Sequence, residues 1–296
     1  MLSRYDIQVD PTSSNNAHAF AVDLVGWNRR VLELGAASGH VTRALADRGC
    51  RVTAIEYEAE SARELEGVAE HIIVGDLNDP EIFAGLSPDF DTVLAGDVLE
   101  HLLRPDQVLR GAAQLLRPGG QVVVSVPNVG HVDVRLSLMQ GAWDYRPWGL
   151  MDDTHIRFFT LKNIKTLVRE AGLIITDLRR VRIPAFETEL RIDRASVPTE
   201  MLEFALADPE AETYQFVFTA AADPGDYQLG RVAEQNLALD SELDRLRIAH
   251  GALRAEHDLV LASNERLAQQ AEDYQRLLAS LQADVDSRQS EVVSLR

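Results

Sequence analysis

Ten consecutive residues constrain this chain more than any others: Val31-Leu32-Glu33-Leu34-Gly35-Ala36-Ala37-Ser38-Gly39-His40. Val31 to Leu34 read as a short buried strand. A tight turn follows through Gly35 and Gly39, and Val41 to Arg48 read as a helix stopped by Gly49. Strand, glycine turn and helix in that order build the nucleotide site of an open α/β sheet. The glycines let the backbone approach a ligand closely, and the helix start offers free N–H groups. Glu33 narrows the ligand: a carboxylate two residues before the first glycine would repel a pyrophosphate at short range and suits a cation better.

Strand and helix patterns then alternate. Strands are expected at Arg51–Tyr57, His71–Val74, Asp91–Ala95, Gln121–Val126, Leu173–Val181 and Tyr214–Ala220. Helices are expected at Asn15–Val25, Ser61–Val68, Gln107–Leu116, Leu161–Ala171 and Ser196–Ala207. The period changes between two and 3.6, and Gly or Pro marks several breaks. Alternation of this kind predicts a Rossmann-like α/β domain, a mostly parallel seven-stranded sheet with helices on both faces. The first helix is expected across the mouth of the site, with His18 and Asn16 either facing a substrate or serving as ordinary capping residues.

The motifs at the strand ends carry a resemblance. Glu33-x-Gly35-x-x-x-Gly39 is similar to motif I of class I S-adenosylmethionine (SAM)-dependent methyltransferases, with Ala37 where that family usually has a third glycine. Glu56 ends the second strand, and a carboxylate there can accept both hydroxyls of a ribose. Asp76 and Leu77 follow the third strand. Asp97-Val98-Leu99-Glu100-His101-Leu102 follows the fourth and resembles the D-x-L-E-H stretch of the ubiquinone and small-molecule O-methyltransferases. Arg117-Pro118-Gly119-Gly120, Pro127-Asn128 and His155-Ile156-Arg157-Phe158-Phe159-Thr160 match further pieces of the same subgroup. The resemblance implies SAM as cofactor, held by Glu33, Gly35, Ala37, Gly39, Glu56, Tyr57, Asp76, Leu77, Asp97 and Val98. It also implies that the last strand inserts antiparallel.

Methyl transfer to a hydroxyl needs proximity and a base, and histidine is the usual base near neutral pH. The candidates are His155 first and His131 second, with Asp152 or Asp153 to orient one of them. Trp143, Tyr145 and Trp148 are candidates for an apolar lid, or for simple packing against the sheet. The spacing gives no metal signature, so no metal ligands are assigned. The pattern from Val197 to Val217 resembles methyltransferases linked to bacterial glycosyltransferases. It implies a sugar or surface-polysaccharide acceptor and a possible glycosyltransferase partner. A quinone or other small phenol is the alternative acceptor. A platform that binds SAM for a coiled-coil interaction protein is the alternative function.

A net charge of −18 argues against nucleic acid or an anionic membrane as partner. The single cysteine, Cys50, fits a reducing compartment. No apolar leader opens the chain and no window is long enough to span a membrane, so the expected location is the cytoplasm. The expected organisation is a methyltransferase domain at 1–222, a linker at 223–228 and a coiled coil at 229–296. Beyond Leu229 there is no proline, and the apolar period becomes seven. With Leu229 at position a, fifteen of the twenty a and d residues are apolar. That pattern predicts a left-handed, two-stranded parallel homodimer, registered by Asn236 and Asn264 at a.

Overall fold

The computed structural model describes residues 15–223 and 227–294. The chain divides into two compact units, Met1–Ala238 and Leu239–Arg296. In the first, the strands are β1 (Arg30–Leu34), β2 (Arg51–Glu56), β3 (His71–Val74), β4 (Phe90–Gly96), β5 (Leu116–Pro127), β6 (Leu173–Arg182) and β7 (Thr213–Ala222). They form one sheet in the order β3-β2-β1-β4-β5-β7-β6. β1 pairs in parallel with β2 and β4, as do β2 with β3 and β4 with β5, while β7 runs antiparallel to β5 and β6. The seven strands and the reversed last strand agree with the expectation.

The helices are α1 (Ala17–Val25), α2 (His40–Asp47), α3 (Ala59–Arg63), α4 (Pro105–Ala113), α5 (Val132–Met139), α6 (Leu161–Glu170), α7 (Thr199–Leu206) and α8 (Tyr227–Ser294). Side chains alternate across a strand, so each strand feeds two cores. Val122, Val124 and Val126 pack on one face with Leu32, Val93, Phe216 and Phe218. Val123 points the other way and packs with Val22, Val31, Val52 and Val217. The first core is covered by α4 and α6, the second by α1 and α2.

Several elements differ in their bounds from the sequence reading. α3 stops at Arg63, and residues 64–69 continue as tight turns such as Leu65 N to Ala62 O (3.2 Å), with Gly67 at a positive φ of 78°. α4 starts two residues earlier because Pro105 takes its first turn, where a missing N–H is harmless. It ends at Ala113, since Leu116 already pairs with Phe90 as the start of β5. The sequence reading assigns nothing to 132–139. There Val132-Asp133-Val134-Arg135-Leu136-Ser137-Leu138 alternates with period two, a strand pattern. The chain forms α5 instead, capped by the His131 ring, which accepts the Asp133 N–H.

α8 is one unbroken helix of 68 residues, about 100 Å at 1.5 Å per residue. No helix among the described residues is long and apolar enough to cross a membrane. The expected first and last residues of the chain, 1–14 and 295–296, lie outside the described residues, as do 224–226 of the linker.

Candidate functional site

The sequence motifs converge at the carboxyl ends of β1, β2, β3 and β4. The chain leaves β1 toward β2 on one side and β4 toward β5 on the other, so a crevice opens between β1 and β4. The loop after β1 turns through three positive-φ residues, Gly35 (67°), Ala37 (46°) and Gly39 (80°). A Cβ at Gly35 would sit 2.7 Å from Val98, and one at Gly39 would sit 2.5 Å from Leu65. Glycine is therefore favoured at both, by space as well as by conformation. Ala37 has the left-handed conformation despite its Cβ, at about 1 kcal/mol. Its N–H donates to Glu56 Oε2 at 2.7 Å, which holds the loop against the end of β2.

The other oxygen of Glu56 accepts the Glu58 N–H at 2.9 Å. A carboxylate has about four lone-pair sites, so two remain for a diol. Tyr57 beside it is exposed. Asp76 uses Oδ1 for the Asn78 backbone and side-chain amides, at 2.8 and 2.9 Å. Leu77 is buried in the first core. Glu33 is buried, accepts a 2.7 Å hydrogen bond from Thr42 Oγ1, and is pushed up to about 7. The main cause is burial; the Glu56 charge adds to it and Thr42 opposes it.

Asp97 also has a positive φ, 53°. It is held there from two strands. Ser125 Oγ of β5 donates to Asp97 Oδ1 at 2.9 Å, and Gln215 Nε2 of β7 donates to the same oxygen. Oδ2 faces His18 Nε2 of α1 at 3.8 Å. Neither Ser125 nor Gln215 was singled out in the sequence. The available signal was a polar residue interrupting the apolar run of β5.

Beyond Asp97 lies a second cluster. Glu100 is 1% exposed, and its Oε2 has no hydrogen-bond partner. Burial raises its carboxyl well above the ordinary range, and Asp97 and Asp152 push the same way. Its backbone carbonyl accepts the N–H groups of Ile156 and Arg157, both at 2.9 Å, and so fixes the 155–157 stretch. The rings of His101 and His155 meet edge to face with centroids 4.9 Å apart. His155 is buried, and its Nδ1 has no partner. Burial lowers its pKa, His101 lowers it further, and Asp152 opposes both. Ligand atoms of Glu100, His101 and His155 all lie within 4.8 Å of one another. One carboxylate and two imidazoles suit a divalent cation. The sequence spacing had assigned no such set, because His155 is 54 positions from His101.

His131 does not join this cluster. It is fully buried, its Nδ1 accepts the Asp133 N–H at 3.2 Å, and its Nε2 donates to the Ile183 carbonyl at 2.9 Å. Both ring nitrogens are engaged in holding the chain, so His131 as placed presents neither of them to an acceptor. Asp152 likewise supports a turn, with Oδ1 accepting from the Thr154 N–H and hydroxyl at 2.8 and 2.6 Å. Trp143 packs edge to face on Phe158 at 5.4 Å, while Tyr145 and Trp148 stay exposed.

The model of a family described as a methyltransferase domain matches residues 15–178, more than half of the chain. A ubiquinone biosynthesis O-methyltransferase of Aeromonas salmonicida is 27% identical over 188 residues, covering 60% of this chain and 76% of that protein. One from Pseudomonas aeruginosa is 29% identical over 166 residues, covering 51% and 66%. Similar solved structures include a putative methyltransferase of Bacillus halodurans, with a TM-score of 0.49, 17% identity, and coverage of 69% of this chain and 97% of that one. Another is the 1,6-didemethyltoxoflavin-N1-methyltransferase of Burkholderia thailandensis, solved with S-adenosylhomocysteine. Its TM-score is 0.46, its identity 21%, and the coverage 71% and 80%.

Proposed function

The chain belongs to the methyltransferase-domain family and is a SAM-dependent methyltransferase, and from that premise we propose that it methylates a hydroxyl of a small phenolic acceptor, with His155 as the base. The observation that carries the reading is the buried, unpartnered Nδ1 of His155 in the cluster next to Asp97. In the reaction the acceptor oxygen attacks the methyl carbon of SAM and the carbon–sulfur bond breaks. Sulfur keeps the electron pair, giving S-adenosylhomocysteine, and the hydroxyl proton passes to His155. Burial keeps the imidazole neutral and able to accept that proton. SAM would lie along Glu33, Gly35, Ala37, Gly39, Glu56, Tyr57, Asp76, Leu77, Asp97 and Val98. The names of the relatives and the exposed rings of Tyr145 and Trp148 favour a phenol or quinone over a sugar. The sugar acceptor and the glycosyltransferase partner rest on the 197–217 resemblance alone.

The orphaned atoms of Glu100 and His155 also favour a second reading, a divalent cation on Glu100, His101 and His155. Such an ion supplies Lewis acidity that lowers the pKa of a bound hydroxyl. Tritiated SAM offered with 3,4-dihydroxybenzoate or with a free hexose, with and without a chelator, separates the readings. Label in the phenol that survives chelation supports the base, and chelator-sensitive label supports the ion. Label only in the hexose overturns the phenolic acceptor.

We also propose that residues 229–296 pair as a parallel two-stranded coiled coil, making a homodimer of methyltransferase domains. Leu239, Leu246, Leu253, Val260, Leu267, Tyr274 and Leu281 recur every seven residues along α8, and all are exposed. A seam that apolar and that regular needs a partner to cover it. Glu242 at position g would face Arg247 at e of a second copy. The domain limits 1–222, 223–228 and 229–296 belong to the same proposal, as does a cytoplasmic location.

A further inference from the structure

Of the acids along the cofactor crevice, Glu33 and Glu56 are buried and Asp97 is half-buried, while Asp76 is exposed. An exposed aspartate turns freely, so it can select a ligand only when something fixes its carboxylate. Here one residue does so. Asn78 donates to Asp76 Oδ1 twice, from its backbone N–H at 2.8 Å and from Nδ2 at 2.9 Å. Asp79 N–H closes the same turn on the Asp76 carbonyl at 2.9 Å. Both Asn78 bonds go to Oδ1, which leaves Oδ2 for a ligand.

The Asn78 amide is itself fixed, because its Oδ1 accepts the Leu103 N–H at 2.9 Å. Turned over, the amide would set oxygen against the Asp76 carboxylate and NH2 against the Leu103 N–H, so it has one orientation. Leu103 lies just past the 3-10 turn Leu99–His101 that follows β4. Its carbonyl accepts Arg157 Nη2 at 2.6 Å, and the Arg157 N–H donates to the Glu100 carbonyl at 2.9 Å. Asn78 is therefore fastened to a bridge between the ends of β3 and β4, across 25 positions of sequence.

We propose that Asn78 is a positioning residue for Asp76: by pinning Oδ1 it fixes Oδ2 as the acceptor for the 6-amino group of the cofactor's adenine, and so sets the choice of adenine over a 6-oxo purine. This role rests on the proposed path of SAM past Glu56 and Asp76. Glu56 ends β2 and takes the ribose, so an acid beyond β3, the next strand outward, meets the base. The 6-amino group is the donor on that edge of adenine, and a carboxylate accepts from it. A carbonyl at C6 would set oxygen against oxygen, and a pinned carboxylate cannot turn away. Without the Asn78 side chain, the carboxylate keeps only the backbone bond and regains part of its freedom. It then holds the amino group less well, because binding must order it, and it rejects the carbonyl less, because it can turn into solvent. Both changes lower the discrimination. A loop that is merely loosened weakens both ligands by the same factor.

S-adenosylhomocysteine and S-inosylhomocysteine differ only in the purine, 6-amino in one and 6-oxo in the other. Each is titrated calorimetrically into the full chain as wild type, Asn78→Ala, Asn78→Asp and Asp76→Ala, and the readout is the ratio of the two dissociation constants. Wild type should prefer the adenosyl ligand by on the order of 100-fold, the weight of a hydrogen bond to a charged group. Asn78→Ala should cut that ratio by about tenfold, the weight of one hydrogen bond. Asn78→Asp keeps the size and the acceptor for Leu103 but has no donor for Asp76, so it should cut the ratio at least as far. Asp76→Ala should remove most of the preference. If Asn78→Ala does not fold, Asn78→Asp decides. An undiminished ratio in the Asn78 variants, with or without an equal loss of both affinities, overturns the proposal. If the ratio collapses in Asp76→Ala at the same time, Asp76 still stands as the adenine acid. A ratio that survives Asp76→Ala, or a wild type that does not tell the ligands apart, overturns the proposal and the Asp76 assignment together.

Discussion

Glu33→Gln should stabilise the ligand-free protein in a pH-dependent way. Glu33 is 3% exposed, its pKa is raised from 4.5 to about 7, and it accepts a hydrogen bond from Thr42. Between those two values the folded state holds a proton that the unfolded state has released. Stability from this group is therefore present below about pH 4.5 and lost as pH rises through about 7. A shift of about 2.5 units corresponds to about 3 kcal/mol once Glu33 is fully ionised. Glutamine keeps the shape, still accepts from Thr42 and does not titrate. The difference in unfolding free energy between Glu33→Gln and wild type should be about 1 kcal/mol at pH 5 and about 3 kcal/mol at pH 8. For a domain of about 200 residues that is a melting-temperature gain of roughly 6–12 °C at pH 8. Acids that do not interact with Glu33 titrate alike in both proteins and cancel in the difference. SAM carries a sulfonium and an ammonium, so ionised Glu33 should favour it. The variant should bind SAM more weakly, and wild-type affinity should rise through pH 7. The assay is urea unfolding of both proteins from pH 5 to 8.5, without ligand. A difference that stays flat with pH would refute the buried, proton-holding Glu33.

Glu56→Ala should weaken SAM binding by about 1–3 kcal/mol, since it removes a charged acceptor and frees the Ala37 N–H. Calorimetric titration checks this, and unchanged affinity would sink the ribose assignment. His131→Ala should lower unfolding stability by about 2–4 kcal/mol, because it leaves the Ile183 carbonyl and the Asp133 N–H without their partner. Its SAM affinity should stay normal; lost turnover with an unchanged melting temperature would return His131 to the list of bases. Light scattering should find the full chain dimeric at micromolar concentration and a 1–225 truncation monomeric. A monomeric full chain excludes the homodimer, and a trimer refutes the role of Asn236 and Asn264.

The parts legible in the sequence are those written in local pattern. The strand, glycine turn and helix around Gly35 and Gly39 depend on backbone freedom, which each residue carries with it. The buried strands follow from continuous or alternating apolar runs, and the long helix follows from a seven-residue period without proline. Signals of that kind need no distant neighbour. α5 shows their limit: its residues alternate like a strand, and the His131 cap and packing against α7 make it a helix.

The division of labour among the histidines was decided only in three dimensions. His131 and His155 are the same residue type, and each stands near a motif. The Ile183 carbonyl, 52 positions away, takes one nitrogen of His131, and the ring becomes a brace. His101, 54 positions from His155, meets that ring edge to face beside Glu100, and the buried Nδ1 of His155 has no partner. Ser125 and Gln215 reach Asp97 from β5 and β7, and Glu189 reaches Leu150 from beyond β6. A side chain's protonation and reach depend on which groups desolvate it and which fill its lone pairs. In this chain those groups come from strands and turns that sequence distance keeps apart and the sheet order brings together.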